Sequence, residues 1–461
     1  MEGAIDAMLS SHNRQSRYWD AYWQQMPRAE LDAFHFRRLQ RLIAFAYERV
    51  PYYRRLYQEA GFRPEHIKTW DDFYRLVPVT DKPMITEDQY RQGALFGFQA
   101  LPAEYHRWFH RTSGTTGQPL NEAFSGYDRL IAAYDSWCWG WWDVGLRPGD
   151  SIYFAFGYGT FIGFWTATFS AERMGLTIIP GGGLSTEQRL LQILELHPTC
   201  VCATPTYLLH MSRVAREKGL PLSEAGVRVL TMAGESGGNV PSMRAALRAG
   251  WGDVCICDIY GISELIFLAT ECREASEGKA LGVHVAERHC HSFVADPTSF
   301  EPLFEDGAVG EHIVTTFRPT QPLIKYRTHD LVKLWRAHDH GCGWTWTFLE
   351  GGVLGRTDFM VTIRGTNVYP TAVENLLGQV DGLTPYYEIH IERRQDQDCM
   401  SVVVEAEPAL AREVYPALQE RAIQLLHHAV GVRIEVQVVE PQSLPRYELK
   451  SRKVIDHRRE G

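Results

Sequence analysis

Thr186-Glu187-Gln188-Arg189-Leu190-Leu191-Gln192-Ile193-Leu194-Glu195-Leu196 reads as a helix, Cys200-Val201-Cys202-Ala203 as a strand, and Tyr207 to Lys218 as a helix again. Short β-rich runs flank them at Ser151 to Ala155, Leu176 to Ile179 and Val227 to Met232. Strand, helix, strand at this spacing predicts a parallel α/β sheet. Upstream, Leu39, Leu42, Ile43, Ala46 and Val50 recur at helical spacing and stop at Pro51, which predicts a helical start over residues 1–95. Beyond Thr298, strand-like runs with Gly and Pro turns continue to Leu354 and suggest an appended β-rich subdomain. A last unit alternates on its own: Phe359 to Ile363, Tyr387 to Glu392, Ser401 to Glu405 and Ile434 to Val439 read as strands, Tyr369 to Leu377 and Ala411 to His428 as helices. The expected class is α/β: a large N-terminal domain, 1–357, with parallel α/β sheets and a β-rich subdomain, followed by a small α+β C-terminal domain, 358–461.

Bulk properties agree with this division. A chain of 461 residues has room for about two to four folding units. With 45% hydrophobic and 22% charged residues it can bury ordinary globular cores. The formal charge of -9 is dispersed, with no basic stripe to neutralise phosphates in a row, so nucleic acid is not an expected partner. Met1 to Trp23 lacks the apolar core of a signal peptide, and no run of about 18 apolar residues could span a bilayer; a soluble, cytoplasmic protein is expected. Nine cysteines spread over this length point to free thiols, with Cys200, Cys202, Cys255 and Cys257 as buried strand positions.

The chemistry begins at Arg111-Thr112-Ser113-Gly114-Thr115-Thr116-Gly117-Gln118-Pro119-Leu120. Glycines allow close backbone approach, and successive N–H groups and hydroxyls can wrap phosphate oxygens. Gly117 is followed by Gln118 and Pro119 rather than Lys and Ser or Thr, so this is not a Walker loop. Asp258-Ile259-Tyr260-Gly261-Ile262-Ser263-Glu264 places a ring, a glycine and a carboxylate at one strand end, suited to a purine and to Mg2+ on Glu264. In Tyr326-Arg327-Thr328-His329-Asp330 a carboxylate suits the two hydroxyls of a ribose. Gly355-Arg356-Thr357-Asp358 and Ile363 to Pro370 mark the proposed domain boundary, and Leu444 to Lys450 ends the series. Taken singly, each has an ordinary reading as a turn, a linker or a solvated lysine.

In this order over about nine tenths of the chain, the motifs resemble the adenylate-forming superfamily, and most closely its phenylacetate-CoA ligase family. The resemblance implies ATP-dependent, AMP-forming activation of a small carboxylic acid, aromatic in character, to an acyl-adenylate and then a coenzyme A thioester. It implies Ser113, Gly114, Thr115, Thr116 and Gly117 around the pyrophosphate end of ATP, Asp258, Tyr260 and Gly261 at adenine, Glu264 on Mg2+, and Asp330 and Arg356 on ribose. Asp358 matches the family hinge, making the C-terminal domain mobile, and Lys450 the lysine that meets the carboxylate and α-phosphate. Tyr158, Phe161, Phe164, Gly234 and Glu235 fall where the acid would sit. Phe161, Phe164 and Trp165 depart from the smaller, glycine-rich family pattern, and the loop lacks a frequent family lysine. Some similar proteins carry a structural zinc, for which Cys272, His284, His340 and Cys342 are the candidate ligands. A carrier-protein thiol or an amine in place of coenzyme A, a homodimer, and a non-catalytic binding protein remain alternatives. Because carboxylate attack on phosphorus brings anions together, Lys450 offsets charge at that step alone. Lys450→Ala should therefore cripple adenylation while thioester formation from supplied adenylate survives; equal loss in both half-reactions contradicts this role.

Overall fold

The computed structural model describes residues 16–91, 98–112, 118–235, 237–336, 339–357, 361–363, 366–368, 370–394, 397–445 and 453–459. Ser113 to Gly117, Asp358 and Lys450 lie outside the described residues.

A hairpin, β1 (His106–Arg111) and β2 (Asn121–Ser125), carries the segment that would hold phosphate. The chain then enters a twelve-stranded sheet. Its first half is β3 (Ser151–Phe154), β4 (Thr177–Pro180), β5 (Cys200–Ala203), β6 (Val229–Ala233) and β7 (Cys255–Tyr260). The second half is β8 (Ala269–Thr270), β9 (Gly282–Val285), β10 (Cys290–Ala295), β11 (Pro302–Leu303), β12 (Ala308–Thr316), β13 (Tyr326–Trp335) and β14 (Phe348–Arg356). The spatial order is β11-β10-β12-β13-β14-β9-β8-β7-β6-β5-β3-β4. Pairing is parallel from β4 to β7 and antiparallel from β7 to β11.

The inner strands of the parallel half, β3, β5, β6 and β7, are buried on both faces, while β4 is a partly exposed edge. Cys200, Cys202, Val229 and Cys257 enter one core cluster, and Val201, Ala203, Leu230 and Ile256 the opposite one. Near-continuous apolar runs of this kind are what a doubly covered sheet requires. Between the strands, Thr186–Leu196 starts on a capping box of Ser185 with Gln188, and Pro205–Glu217 has Pro at its first turn. The β-rich part is edge-bonded to the parallel part through β7 and β8, so the expected subdomain continues the same sheet. The sequence pattern hid this, because a two-residue strand such as β8 has no periodicity to read.

The predicted N-terminal helix is two, Arg28–Arg49 and Pro51–Glu59, separated at the extended Val50. Leu39, Ile43, Tyr53 and Tyr57 bury against Val283, Val294, Ile313 and Val332. At the other end, β17 (Leu383–Arg394), β18 (Gln397–Ala406), β19 (Glu435–Val439) and β20 (Val454–Asp456) form a separate sheet. Helices Pro370–Leu377 and Tyr415–Val430 share a core with it, next to the ribbon of β15 (Val361–Ile363) and β16 (Thr366–Val368). Residues 411–414, expected to begin the last helix, instead end in a 3-10 turn ahead of it. All nine cysteines are free thiols. No helix among the described residues is long and apolar enough to cross a membrane.

Candidate active site

The strand direction reverses at Tyr260, and the turn that does it positions the acidic motif. A Cβ on Gly261 would lie 2.4 Å from the Ile266 carbonyl oxygen, so no other residue fits without moving backbone. Ile266 takes a left-handed φ of 71°, and the N–H groups of Leu265 and Ile266 both donate to the Ile262 carbonyl. The resulting loop buries Glu264 at the edge of the parallel half. Its Oε1 meets Lys82 Nζ at 2.7 Å, and its backbone oxygen accepts from Arg318 Nη1 at 3.1 Å. Arg318, only 1% exposed, also donates to Glu122 Oε2 at 3.2 Å and lies 3.7 Å from Asp128 Oδ1. Burial pushes the Glu122 carboxyl up to about 7, with Arg318 opposing and Glu264 adding to the shift. Glu122, Glu264, Arg318, Gln321, Phe98 and Leu120 line one small cavity.

Lys82, Arg318 and Glu122 escaped the sequence reading. Lys82 stands in Thr80-Asp81-Lys82-Pro83 and Arg318 before Pro319, in segments that carry no motif. Their presence bears on the missing loop lysine: the structure brings two cations to Glu264 from other elements.

Asp330 occupies the neighbouring position. Tyr260 Oη donates to Asp330 Oδ2 at 2.7 Å, and Arg356 Nη1 lies 2.9 Å from Asp330 Oδ1. Arg356 and Asp330 face each other in the β13–β14 register. Tyr260 and Arg356 thus each engage one of the two carboxylate oxygens. The Tyr260 phenol, expected only as a stacking ring, serves also to orient Asp330. Asp258 lies deeper, under Gly238, where a Cβ would come within 2.1 Å of its Cγ. Asn239 Nδ2 donates to its Oδ2 at 2.6 Å, and its own N–H donates to Glu271 Oε2 at 2.9 Å. Burial and then the Glu271 charge raise Asp258 to about 7, against Arg244, which pairs with Glu271.

Around the expected acid position, Phe164 stacks on Phe156, Phe161 meets Phe164 edge-on at 5.9 Å, and Trp165 lies 4.9 Å from Tyr158. Trp165 Nε1 donates to the Gly159 carbonyl at 2.9 Å, and Tyr158 Oη bonds Thr168 Oγ1 at 2.7 Å. Phe161 is 40% exposed. Gly234, with φ of 88°, ends β6, and Glu235 Oε2 accepts from Thr206 Oγ1 at 2.5 Å.

A separate cluster forms where β8, β9 and the segment before β14 meet. The ligand-type atoms of Cys272, His284, His340 and Cys342 lie within 4.8 Å of one another. Cys272 Sγ is 3.1 Å from His340 Nε2, and Cys342 Sγ 3.5 Å from His284 Nε2. His284 Nδ1 is bound to the Trp346 carbonyl at 3.1 Å, which fixes the proton there and leaves Nε2 to face the thiols. Two thiols and two imidazoles brought this close from distant sequence positions fit a tetrahedral zinc site.

Residues 365–458 match the AMP-binding enzyme C-terminal domain. Over 464 residues, the chain is 34% identical to phenylacetate-coenzyme A ligase of Thermus thermophilus, covering 95% of this chain and 98% of that one. Identity to the phenylacetate-coenzyme A ligase of Escherichia coli is 32% over 440 residues, 93% and 95% of the two chains. Among solved structures, 2-hydroxyisobutyryl-CoA ligase in the postadenylation state aligns with a TM-score of 0.87 and 28% identity, over 96% of this chain and 93% of that one. The fold is that of an adenylate-forming enzyme. The chain belongs to the phenylacetate-CoA ligase family, within the AMP-forming acid–thiol ligases, which activate a carboxylic acid with ATP and make its coenzyme A thioester.

Arg318 is the buried charge on which Glu122 depends. Arg318→Met should cost about 3–5 kcal/mol of stability, because an uncompensated buried carboxylate remains, and Arg318→Met with Glu122→Gln should recover part of that loss. Denaturant unfolding measures both; a double variant no more stable than the single one contradicts the pairing.

Proposed function

We propose that this chain converts a small aromatic carboxylic acid to its acyl-adenylate and passes the acyl group to coenzyme A. The observation that carries the reading is the pair of groups at the sheet reversal: Asp330 held by Tyr260 and Arg356, next to Glu264 held by Lys82 and Arg318. The first suits a ribose diol, and the second a triphosphate with its cation.

Glu264 would hold Mg2+, since that ion takes one or two carboxylates and fills the rest of its octahedron with phosphate oxygens and water. When bound it supplies charge neutralisation at the phosphates. Lys82 then has a second anion within reach and can turn from Glu264 to phosphate, which answers the missing lysine of the loop. Ser113 to Gly117 would surround the departing pyrophosphate with N–H and hydroxyl donors, and Asp330 with Arg356 would fix the ribose. Asp258, Gly261 and Tyr260 would border adenine. With ATP so fixed, the acid carboxylate attacks the α-phosphorus, the bond to pyrophosphate breaks, and Lys450 offsets the charge that accumulates. In our division the large domain, 1–357, carries these groups, and the small domain, 358–461, carries Lys450 and turns about Asp358 between the two half-reactions.

The rings of Tyr158, Phe161, Phe164 and Trp165 support an aromatic acid, and Gly234 and Glu235 are the further residues we assign to its pocket. Acid-dependent ATP–pyrophosphate exchange, measured for aromatic and aliphatic acids with and without coenzyme A, tests the reading. Exchange and thioester formation with aromatic acids are expected. Exchange without a coenzyme A product points instead to a carrier-protein thiol or an amine as acceptor, and no acid-dependent exchange rejects the proposal.

We further propose that Cys272, His284, His340 and Cys342 hold one structural zinc ion. Purified protein should contain about one zinc per chain, and Cys272→Ser with Cys342→Ser should lose the metal and lower the melting temperature. Metal-free wild-type protein of undiminished stability would remove the idea.

A further inference from the structure

The hinge proposed at Asp358 directly follows Thr357 in the motif Gly355-Arg356-Thr357-Asp358. The 2-hydroxyisobutyryl-CoA ligase relative, in its thioesterification state with coenzyme A, aligns at a TM-score of only 0.71, against 0.87 in its postadenylation state. The arrangement of this chain is closer to the postadenylation one. The Thr357 side chain is held by a residue from an unexpected place.

His329 stands in the ribose motif, one residue before Asp330, with a left-handed φ of 61°. Only a few per cent of non-glycine residues adopt this region, at a cost of order 1–3 kcal/mol, so the surroundings must hold it there. They do so at both ring nitrogens. Nε2 lies 2.9 Å from Asp81 Oδ1 and Nδ1 3.2 Å from Thr357 Oγ1. Thr357 Oγ1 lies 3.4 Å from Glu311 Oε2. Asp81 is itself immobilised: it accepts from the Lys82 N–H at 2.6 Å, while Thr80 is bonded through its backbone to Lys325 and Arg327. The groups that face His329 are Asp81, Glu311 and Arg327, the last of which pairs with both carboxylates.

We propose that Asp81, His329 and Thr357 form a clamp that anchors the end of β14 to the large domain, so that the C-terminal unit pivots beyond Thr357 and Arg356 stays on Asp330 throughout. His329 is a positioning residue here, and the inference rests on the functional reading above. Asp81 keeps its own bond to the Lys82 N–H when His329 or Thr357 is replaced, so the pairing of Lys82 with Glu264 does not depend on the clamp. Without it the pivot could move upstream into Arg356. The postadenylation arrangement has its own interdomain contact, with Tyr386 packed on the core of the large domain, so the cost of losing the clamp falls on the step that needs the turned position.

Charge reinforces the geometry. Burial lowers the His329 pKa, but the Asp81 hydrogen bond and the Asp81 and Glu311 charges outweigh it and leave it raised, against Arg327. A raised imidazole stabilises the folded clamp fully below its ordinary pKa and loses that contribution as pH rises through the raised value.

The test uses the full-length enzyme with Thr357→Val, His329→Gln and the double variant, measuring ATP–pyrophosphate exchange, thioester formation from supplied acyl-adenylate, and melting temperature. Each single variant should slow thioester formation about tenfold with exchange changed less than about twofold, and the double should be no slower than the slower single. The thioester-to-exchange ratio of the wild type should fall as pH rises through the histidine range, and that fall should vanish in His329→Gln. Equal loss in both half-reactions, additive losses, unchanged ratios, or a pH response that persists in His329→Gln each overturn the clamp. Wild-type protein lacking acid-dependent exchange overturns the functional reading, and the clamp with it.

Discussion

The close approach of Gly261 to the Ile266 carbonyl is the constraint on which this molecule depends. It permits one sheet to change from parallel to antiparallel pairing within a nine-residue step, from Tyr260 to Ala269. Open α/β sheets bind ligands beyond the carboxyl ends of their parallel strands. Here the same turn that ends the parallel run delivers Tyr260 to Asp330 and Glu264 to Lys82. The antiparallel half accordingly belongs to the site we propose, since β13 and β14 carry Asp330 and Arg356.

Burying charge at this density is costly, and the structure offsets it by pairing. Glu122, Glu264, Asp128 and Arg318 are all nearly excluded from solvent and satisfy one another in part. Such a network gives little net stability. In the proposed function the Arg318 network would supply a fixed field at the place where phosphate charge arrives.

Much of this was legible in the sequence, for identifiable reasons. The inner strands from Ser151 to Met232 announced themselves because they are covered on both faces, and Cys200, Cys202, Cys255 and Cys257 proved to be strand residues. Asp330 and Arg356, which the structure pairs, were singled out through motif order, and the Cys and His cluster through the family resemblance together with residue type. Other features depend on tertiary contact. Lys82 and Arg318 reach Glu264 from segments far apart in sequence, and His329 reads as an ordinary polar residue until its backbone angle and both partners are seen. The joining of the β-rich part to the parallel sheet rests on the two residues of β8, too few to show a period.

The central claim is that oxygen of the acid attacks the α-phosphorus of ATP. Turnover with an acid carrying 18O in its carboxylate tests it most directly. The account predicts one labelled oxygen in the AMP released and none in pyrophosphate. Label in inorganic phosphate, or ADP as the nucleotide product, would contradict it.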